Sequence, residues 1–199
     1  MEIKVIGLTG SYCAGKNHVA SLLEKRLFPV LDVDKLGHAV IEDEKELLVT
    51  RFGEDILDGE GLINRKKLGS KVFGRPKELI ALEEIIHPAV NIKTLEWIKE
   101  RTEKACFINA ALLHRSSAFT TLDAVIIVKA PLLTRLIRAK KRDNLPWMSI
   151  FKRFWSQRKF CYKFFAKKTD TYIVRNPSGC MNLDDRINKI LSLRGIGKV

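Results

Sequence analysis

The chain has 199 residues, of which 46% are hydrophobic and 30% are charged, the balance of a soluble globular protein with a buried core. No stretch approaches the roughly 18 uninterrupted apolar residues of a membrane span, and nothing near the start predicts export. The formal net charge of +13 indicates an anionic ligand, which leaves nucleic acid, an anionic membrane surface and a polyanionic small molecule open.

The beginning of the chain predicts a strand, a helix and a second strand. Residues 3–9 are an apolar run with β-branched residues, typical of a buried strand. A helix is predicted from apolar residues that recur at helical spacing: Val19, Leu22, Leu23 and Leu27. Pro29 ends this helix, and residues 30–34 predict a strand that terminates in acids. Such a βαβ unit favours a parallel sheet with helices on both faces.

The turn between this strand and this helix has the spacing of a phosphate-binding loop. Gly10, Gly15 and Lys16 match G-x-x-x-x-G-K, in which backbone N–H groups face phosphate oxygens and the lysine reaches the β- and γ-phosphates. A tight glycine turn with a solvated lysine is the alternative. The residues predicted to contact ATP here are Ser11, Tyr12, Cys13, Ala14, Gly15, Lys16, Asn17 and His18.

Asn17 stands where such loops normally carry Ser or Thr, whose hydroxyl ligates Mg²⁺. An amide carbonyl is also an acceptable oxygen ligand for a hard cation. We therefore expect Mg²⁺ binding in an altered geometry, with a weakened or repurposed site as the alternative.

The middle of the chain, from about residue 36 to residue 101, shows no convincing strand and predicts a helical insertion. Helices are predicted over residues 42–52, 66–73 and 77–99. Gly-rich and Pro-containing turns are predicted between them and at the pair His87 and Pro88. An insertion of this size between strands usually builds one wall of a substrate cleft.

The second half of the chain predicts three more strands and a strongly basic segment. Strands are predicted at residues 105–110, 124–128 and 172–174, and helices at 132–142, about 146–159 and 183–193. Between Lys129 and Lys168 there are thirteen basic residues, eight aromatic residues and one acid, Asp143. The sequence thus predicts a five-stranded α/β core with two helical excursions, one central and one basic.

Several short motifs occur in a fixed order along the chain. They are Asp32-Val-Asp34, Phe52-Gly53, Arg65 to Leu68, His87-Pro88, Arg142-Asp143, Arg153 to Gln157, and Asp170 to Asn176 followed by Gly179. In this order and at these spacings, and together with the loop, they resemble the dephospho-CoA kinase family of P-loop kinases over nearly the whole chain. The resemblance implies one P-loop kinase domain over residues 1–199. Its core would comprise residues 1–35, 104–142 and 170–199, its CoA-binding insertion about 36–103, and its lid about 142–168.

The chain departs from the family pattern at the loop and after the third long strand. Asn17 and His18 replace the usual Ser and Thr, and Ser11 replaces a usual glycine. An expected proline and an expected acid appear as Ala111 and Arg115.

The resemblance implies transfer of the γ-phosphate of ATP to the ribose 3′-hydroxyl of dephospho-CoA, the last step of coenzyme A synthesis. An acid at the carboxyl end of a strand beside the loop lies where open α/β sheets bind ligands. Asp34 is therefore the candidate base, with Asp32 nearer the metal or structural; capping of the next helix is the alternative for both. The residues expected to contact the acceptor are Asp32, Asp34, Arg65, His87 and Gln157.

Arg142 and Arg153 are the candidates for clamping the transferred phosphoryl group, because a guanidinium presents a fixed fork of donors to phosphate oxygens. Gln157, one helical turn after Arg153, would lie on the same face and support it. A generic solvated basic face is the alternative. Asn176 is expected near the adenine, with a simple turn asparagine as the alternative.

Two other functions remain open from the sequence. One is a different P-loop kinase acting on a nucleoside or nucleotide, and the other is a catalytically weakened protein that binds nucleotides or nucleic acid. We expect small-molecule substrates only, without a nucleic-acid or membrane partner, and a monomer or weak oligomer. The cysteines are scattered at positions 13, 106, 161 and 180, so we expect free thiols and a cytoplasmic location.

Overall fold

The computed structural model describes residues 3–111, 113, 122–156, 169–177 and 183–196. The strands are β1 Lys4–Gly10, β2 Val30–Asp32, β3 Ala105–Asn109, β4 Ala124–Lys129 and β5 Asp170–Arg175. The helices are α1 Lys16–Glu24, α2 Val33–Asp43, α3 Lys45–Phe52, α4 Arg65–Val72, α5 Pro76–Lys99, α6 Leu132–Asp143, α7 Trp147–Ser156 and α8 Leu183–Leu193, with a short 3₁₀ turn at Glu54–Ile56. Within the described part of the chain, no helix is both long and apolar enough to cross a membrane.

The strands form one sheet in the order β2-β3-β1-β4-β5, with β1 at the centre. β1 pairs in parallel with β3, where Leu8 lies opposite Asn109, and with β4, where Gly10 lies opposite Val128. β5 continues the sheet in parallel beyond β4. The predicted α/β class with a five-stranded parallel sheet flanked by helices is therefore confirmed.

The core around the sheet comes from strands that are apolar at nearly every position. β1 is buried from Val5 to Gly10, β3 is buried throughout, and β4 is buried from Ala124 to Val128. Continuous rather than alternating apolar runs are typical of parallel strands covered by helices on both faces. The carboxyl ends of β1, β3 and β4 consequently meet at one edge, which is where such sheets bind ligands.

The first helix ends earlier than predicted. α1 stops at Glu24, and Leu27 is 78% exposed in a left-handed conformation with φ 61°. The amide of Phe28 then donates to the carbonyl of Leu23, which closes the helix end, and Phe28 is buried in place of Leu27. The prediction that Leu27 continues the buried face was wrong because the chain reverses at that residue.

The structure divides into two compact units, residues 1–31 with 100–199 and residues 32–99. The second unit is helical, as predicted, and has its own apolar cluster around Leu48, Phe52, Ile56 and Leu68. Its first helix was missed, since the predicted strand over 30–34 stops at Asp32. The Asp32 carboxylate accepts from the amide of Lys35 at 3.1 Å and begins α2 as its N-cap.

Pro88 lies inside α5, so the predicted turn at His87 and Pro88 is wrong. Proline removes one backbone donor from a helix and usually kinks or ends it. Here α5 continues for 24 residues, and it packs against α2, α3 and α4. Tertiary packing of this kind overrides the local preference of a single residue.

Candidate active site

The phosphate-binding loop joins β1 to α1 at the carboxyl edge of the sheet. Gly15 is the N-cap of α1 with φ 97°, a left-handed conformation that favours glycine. A Cβ atom at Gly15 would lie 2.1 Å from Asn176 Nδ2, so the position also has no room for a side chain. Since glycine has no capping side chain, the first amides of α1 are suited to receive an anion.

Three side chains hold the carbonyl groups of the loop. Arg135 Nε donates to the Tyr12 carbonyl at 2.7 Å. Asn176 Nδ2 and Arg138 Nη1 donate to the Ala14 carbonyl at 2.9 Å and 3.3 Å. In a trans peptide the N–H points opposite to the C=O, so the following amides, those of Cys13 and Gly15, face away from these donors. The loop is thereby held with these amides oriented for a phosphate group.

Arg135 and Arg138 were not predicted as site residues. They lie one turn apart on α6 and therefore share a face. The Arg135 guanidinium also lies 4.7 Å from the centre of the Phe154 ring, and its burial lowers its pKa. The only sequence signal for these two residues was the i, i+3 spacing of two arginines in a basic helix. Many other basic residues in that segment have similar spacings, so the signal is not specific.

The loop itself carries no side-chain negative charge. Burial raises the pKa of the Cys13 thiol, whose backbone is left-handed with φ 57°. The pKa of the Tyr12 phenol is also raised, first by burial and then by its hydrogen bond with Asp143. Both groups therefore stay protonated at physiological pH and do not repel a phosphate.

Asn17, the predicted Mg²⁺ ligand, has a buried neighbour that the sequence did not reveal. Asn109 ends β3 and is 2% exposed, and its Nδ2 donates to Asn17 Oδ1 at 3.4 Å. Its own Oδ1 is one of two buried side-chain polar atoms in the described residues that have no hydrogen-bond partner. Such an atom is costly to leave unsatisfied. A polar residue at the end of an apolar strand was the signal that could have found it.

The two predicted clamp arginines lie together beside the loop. Arg142 donates to Asp143 through Nε at 2.7 Å and Nη2 at 3.2 Å, and Arg153 Nη1 donates to the same carboxylate at 2.8 Å. The hydrogen bonds from Arg142 and then from Tyr12, with the charges of both arginines, lower the pKa of Asp143 to about 2. Both guanidinium side chains stay half exposed, at 59% and 51%. The third predicted lid residue, Gln157, lies outside the described residues.

Asn176 lies beneath the loop. Its side chain is buried and bonded to the Ala14 carbonyl, and its backbone amide donates to the Lys129 carbonyl at 2.7 Å. A cavity of about 380 Å³ opens nearby, where β4 and β5 end. It is lined by Lys129, Ala130, Pro131, Arg175 and Pro177.

Four predicted site residues, Asp32, Asp34, Arg65 and His87, belong to the unit of residues 32–99. Asp32 is engaged as the N-cap of α2, and Asp34 is exposed in the first turn of that helix. His87 is half-buried on α5, which packs against α2, and Arg65 is exposed at the start of α4. Within the described residues, no group of His, Cys, Asp and Glu forms a metal site.

A family model described as Dephospho-CoA kinase matches residues 4–180. The Dephospho-CoA kinase of Treponema denticola is 31% identical over 201 residues, which cover 96% of this chain and 90% of that protein. A crystal structure from Thermus thermophilus superposes with a TM-score of 0.84 at 28% identity and covers 98% of each chain. The Dephospho-CoA kinase structure from Campylobacter jejuni gives a TM-score of 0.66 at 25% identity, with the same coverage.

Proposed function

The chain belongs to the dephospho-CoA kinase family, and we propose that it transfers the γ-phosphate of ATP to the 3′-hydroxyl of dephospho-CoA, giving CoA and ADP. The observation that supports this most directly is the loop held by Arg135, Arg138 and Asn176, with Arg142 and Arg153 beside it. Phosphoryl transfer depends on positioning and on neutralising charge, and these residues would supply both.

On the donor side, the amides of the loop and of the first turn of α1 would bind the phosphates of ATP, and Lys16 would reach the β- and γ-phosphates. Arg142 and Arg153 would neutralise the charge that develops on the transferred group. Pro131 and Pro177 offer apolar walls for the adenine ring in the cavity, which Lys129 and Arg175 also line. Asn176 would act indirectly, because its side chain holds the loop that would bind the phosphates.

On the acceptor side, Asp34 is the proposed base for the ribose 3′-hydroxyl. Its neighbour Asp32 already accepts the amide of Lys35, which suits a structural role. Residues 32–99 would bind dephospho-CoA, with Arg65 and His87 as candidate contacts and Gln157 as a candidate from the lid. Asp34 is exposed in the first turn of α2, and a carboxylate is a suitable general base for a hydroxyl proton.

We propose that Mg²⁺ binds beside Asn17 and Asn109. Amide oxygens are suitable ligands for this cation, and the buried Oδ1 of Asn109 lacks a hydrogen-bond partner that a metal or its water shell would supply. When bound, Mg²⁺ neutralises charge on the β- and γ-phosphates. Asn109 would orient Asn17 through the hydrogen bond from its Nδ2.

The Asn17→Ser variant is expected to keep or raise activity at low Mg²⁺, by up to about threefold, because a hydroxyl is the more usual ligand at this position. Initial rates across a Mg²⁺ titration test this, together with Mn²⁺ binding in the presence of ADP by electron paramagnetic resonance. Asn188→Ser is the matched control, because it is the same change at a residue that accepts a hydrogen bond from Arg26, beyond the end of α1. A large loss of activity and of Mn²⁺ binding in Asn17→Ser would show that the asparagine is required.

The function itself is tested by mixing the purified protein with Mg-ATP and dephospho-CoA and detecting CoA by mass. Absence of product at micromolar enzyme would contradict the proposal. A panel of nucleosides and nucleotides in the same assay separates this reaction from that of another P-loop kinase. Oligonucleotide binding measured against salt tests the non-catalytic alternative, since phosphate contacts weaken steeply as salt rises.

We also propose that the enzyme works in the cytoplasm as a monomer or weak oligomer. Cys13 and Cys106 are free thiols, which suits a reducing compartment. Light scattering of the purified protein would give its oligomeric state.

A further inference from the structure

The hydroxyl group of Tyr12 connects the phosphate-binding loop to α6 and α7, two helices of the basic segment. It donates to Asp143 Oδ2, and Arg153 Nη1 lies 3.3 Å from the same hydroxyl oxygen. Asp143 is the last residue of α6, and Arg153 lies on α7. One tyrosine of the loop thus contacts two successive helices through a single polar atom.

The ring of Tyr12 adds contacts of a second kind. It meets the ring of Phe154 edge to face, with 5.3 Å between centroids, and the Arg142 guanidinium lies 5.1 Å from its centre. Edge-to-face aromatic pairs and cation–π contacts both have a preferred geometry. The position of the ring is therefore fixed independently of the hydroxyl, and the backbone carbonyl of Tyr12 is fixed by Arg135.

Asp143 is the single acid of the basic segment, and it stands between the two arginines. Its side chain is 13% exposed, while those of Arg142 and Arg153 are half exposed. The carboxylate lies within 3 Å of a donor from each guanidinium. It therefore offsets the repulsion between two like charges, and it fixes where both of them lie.

We propose that Tyr12 is a positioning residue, which acts through Asp143 to hold Arg142 and Arg153 in place for phosphoryl transfer. This inference rests on the proposed function. The loop amides and Lys16 bind the nucleotide without the tyrosine hydroxyl, whereas the arginines act on charge that develops during transfer. Loss of the hydroxyl should therefore lower kcat and leave the KM for ATP almost unchanged.

The Tyr12→Phe variant removes the hydroxyl and keeps the ring. We expect kcat to fall about three- to tenfold, the effect of one partly exposed hydrogen bond to a charged group. The KM for ATP and the melting temperature should stay close to those of the unmodified enzyme. Tyr172→Phe is the matched control, because Tyr172 on β5 also lies under an arginine, Arg194, at 5.3 Å, but lies outside the loop.

The Asp143→Asn variant removes the negative charge to which both Arg142 and Arg153 bond. We expect kcat to fall about ten- to thirtyfold, because both arginines are then misplaced. The double variant, Tyr12→Phe with Asp143→Asn, tests whether Tyr12 acts through Asp143. If Tyr12 acts through Asp143, the double variant should match Asp143→Asn alone, since coupled residues are not additive.

Two results would overturn the inference while the unmodified enzyme still forms CoA. One is an unchanged kcat in Tyr12→Phe, with or without a rise in the KM for ATP, and the other is that the effects of the two changes multiply in the double variant. Tighter ATP binding by Asp143→Asn at unchanged kcat would also contradict it, because the carboxylate would then merely compete with phosphate. Failure of the unmodified enzyme to form CoA would instead contradict the proposed function.

Discussion

Replacement of Asp34 by Asn is expected to lower kcat for CoA formation by about 10²- to 10⁴-fold, the usual contribution of a positioned general base. The amide keeps the size of the side chain but no longer accepts the proton of the ribose 3′-hydroxyl. Asp34 lies in the first turn of α2, outside the phosphate-binding loop, so ATP affinity should change little. CoA formation by mass and ATP binding by calorimetry measure the two effects separately.

Asp43→Asn is the matched control for this variant. Asp43 is at the other end of α2, and its carboxylate pairs with Lys93 at 2.6 Å, with both side chains more than 40% exposed. Exposed ion pairs contribute little to stability, so this variant should keep nearly full activity. Equal activity of Asp34→Asn and the unmodified enzyme would remove Asp34 from the mechanism.

Replacement of Lys16 by Met is expected to lower kcat/KM for ATP by about 10²- to 10³-fold, the usual effect of losing one preorganised group at a developing charge. Methionine keeps most of the length of the chain and removes the ammonium group. The backbone of the loop should persist, because Arg135, Arg138 and Asn176 hold its carbonyls. Steady-state kinetics with varied ATP measures the loss, and the melting temperature should be unchanged.

Lys25→Met serves as the control, since Lys25 is the exposed residue at the opposite end of α1. Its removal changes the net charge equally and should leave kcat/KM within about twofold, as expected for a surface change. A comparable loss in both variants would mean that overall charge, not contact with phosphate, explains the effect of Lys16.

The elements that were predicted well are those with a local cause. α8 was predicted over residues 183–193 and spans Leu183–Leu193, because its apolar residues recur at helical spacing. β4 was predicted to within one residue, because a short continuous apolar run rich in β-branched residues favours a buried strand. α2 was missed because its N-cap, Asp32, also ends a strand, and a capping acid cannot be told from a ligand-binding acid in the sequence.

The sequence by itself determined the loop, the sheet and the identity of the charged residues near it, because these depend on residues adjacent along the chain. Only the tertiary structure decided what holds the loop and what the basic segment does. Tyr12 and Asp143 are 131 positions apart, and Asn109 lies 92 positions from Asn17. Asn109 reaches Asn17 because the parallel sheet brings the carboxyl ends of β1 and β3 together, whereas Asp143 reaches Tyr12 from the end of α6. No local pattern encodes either contact.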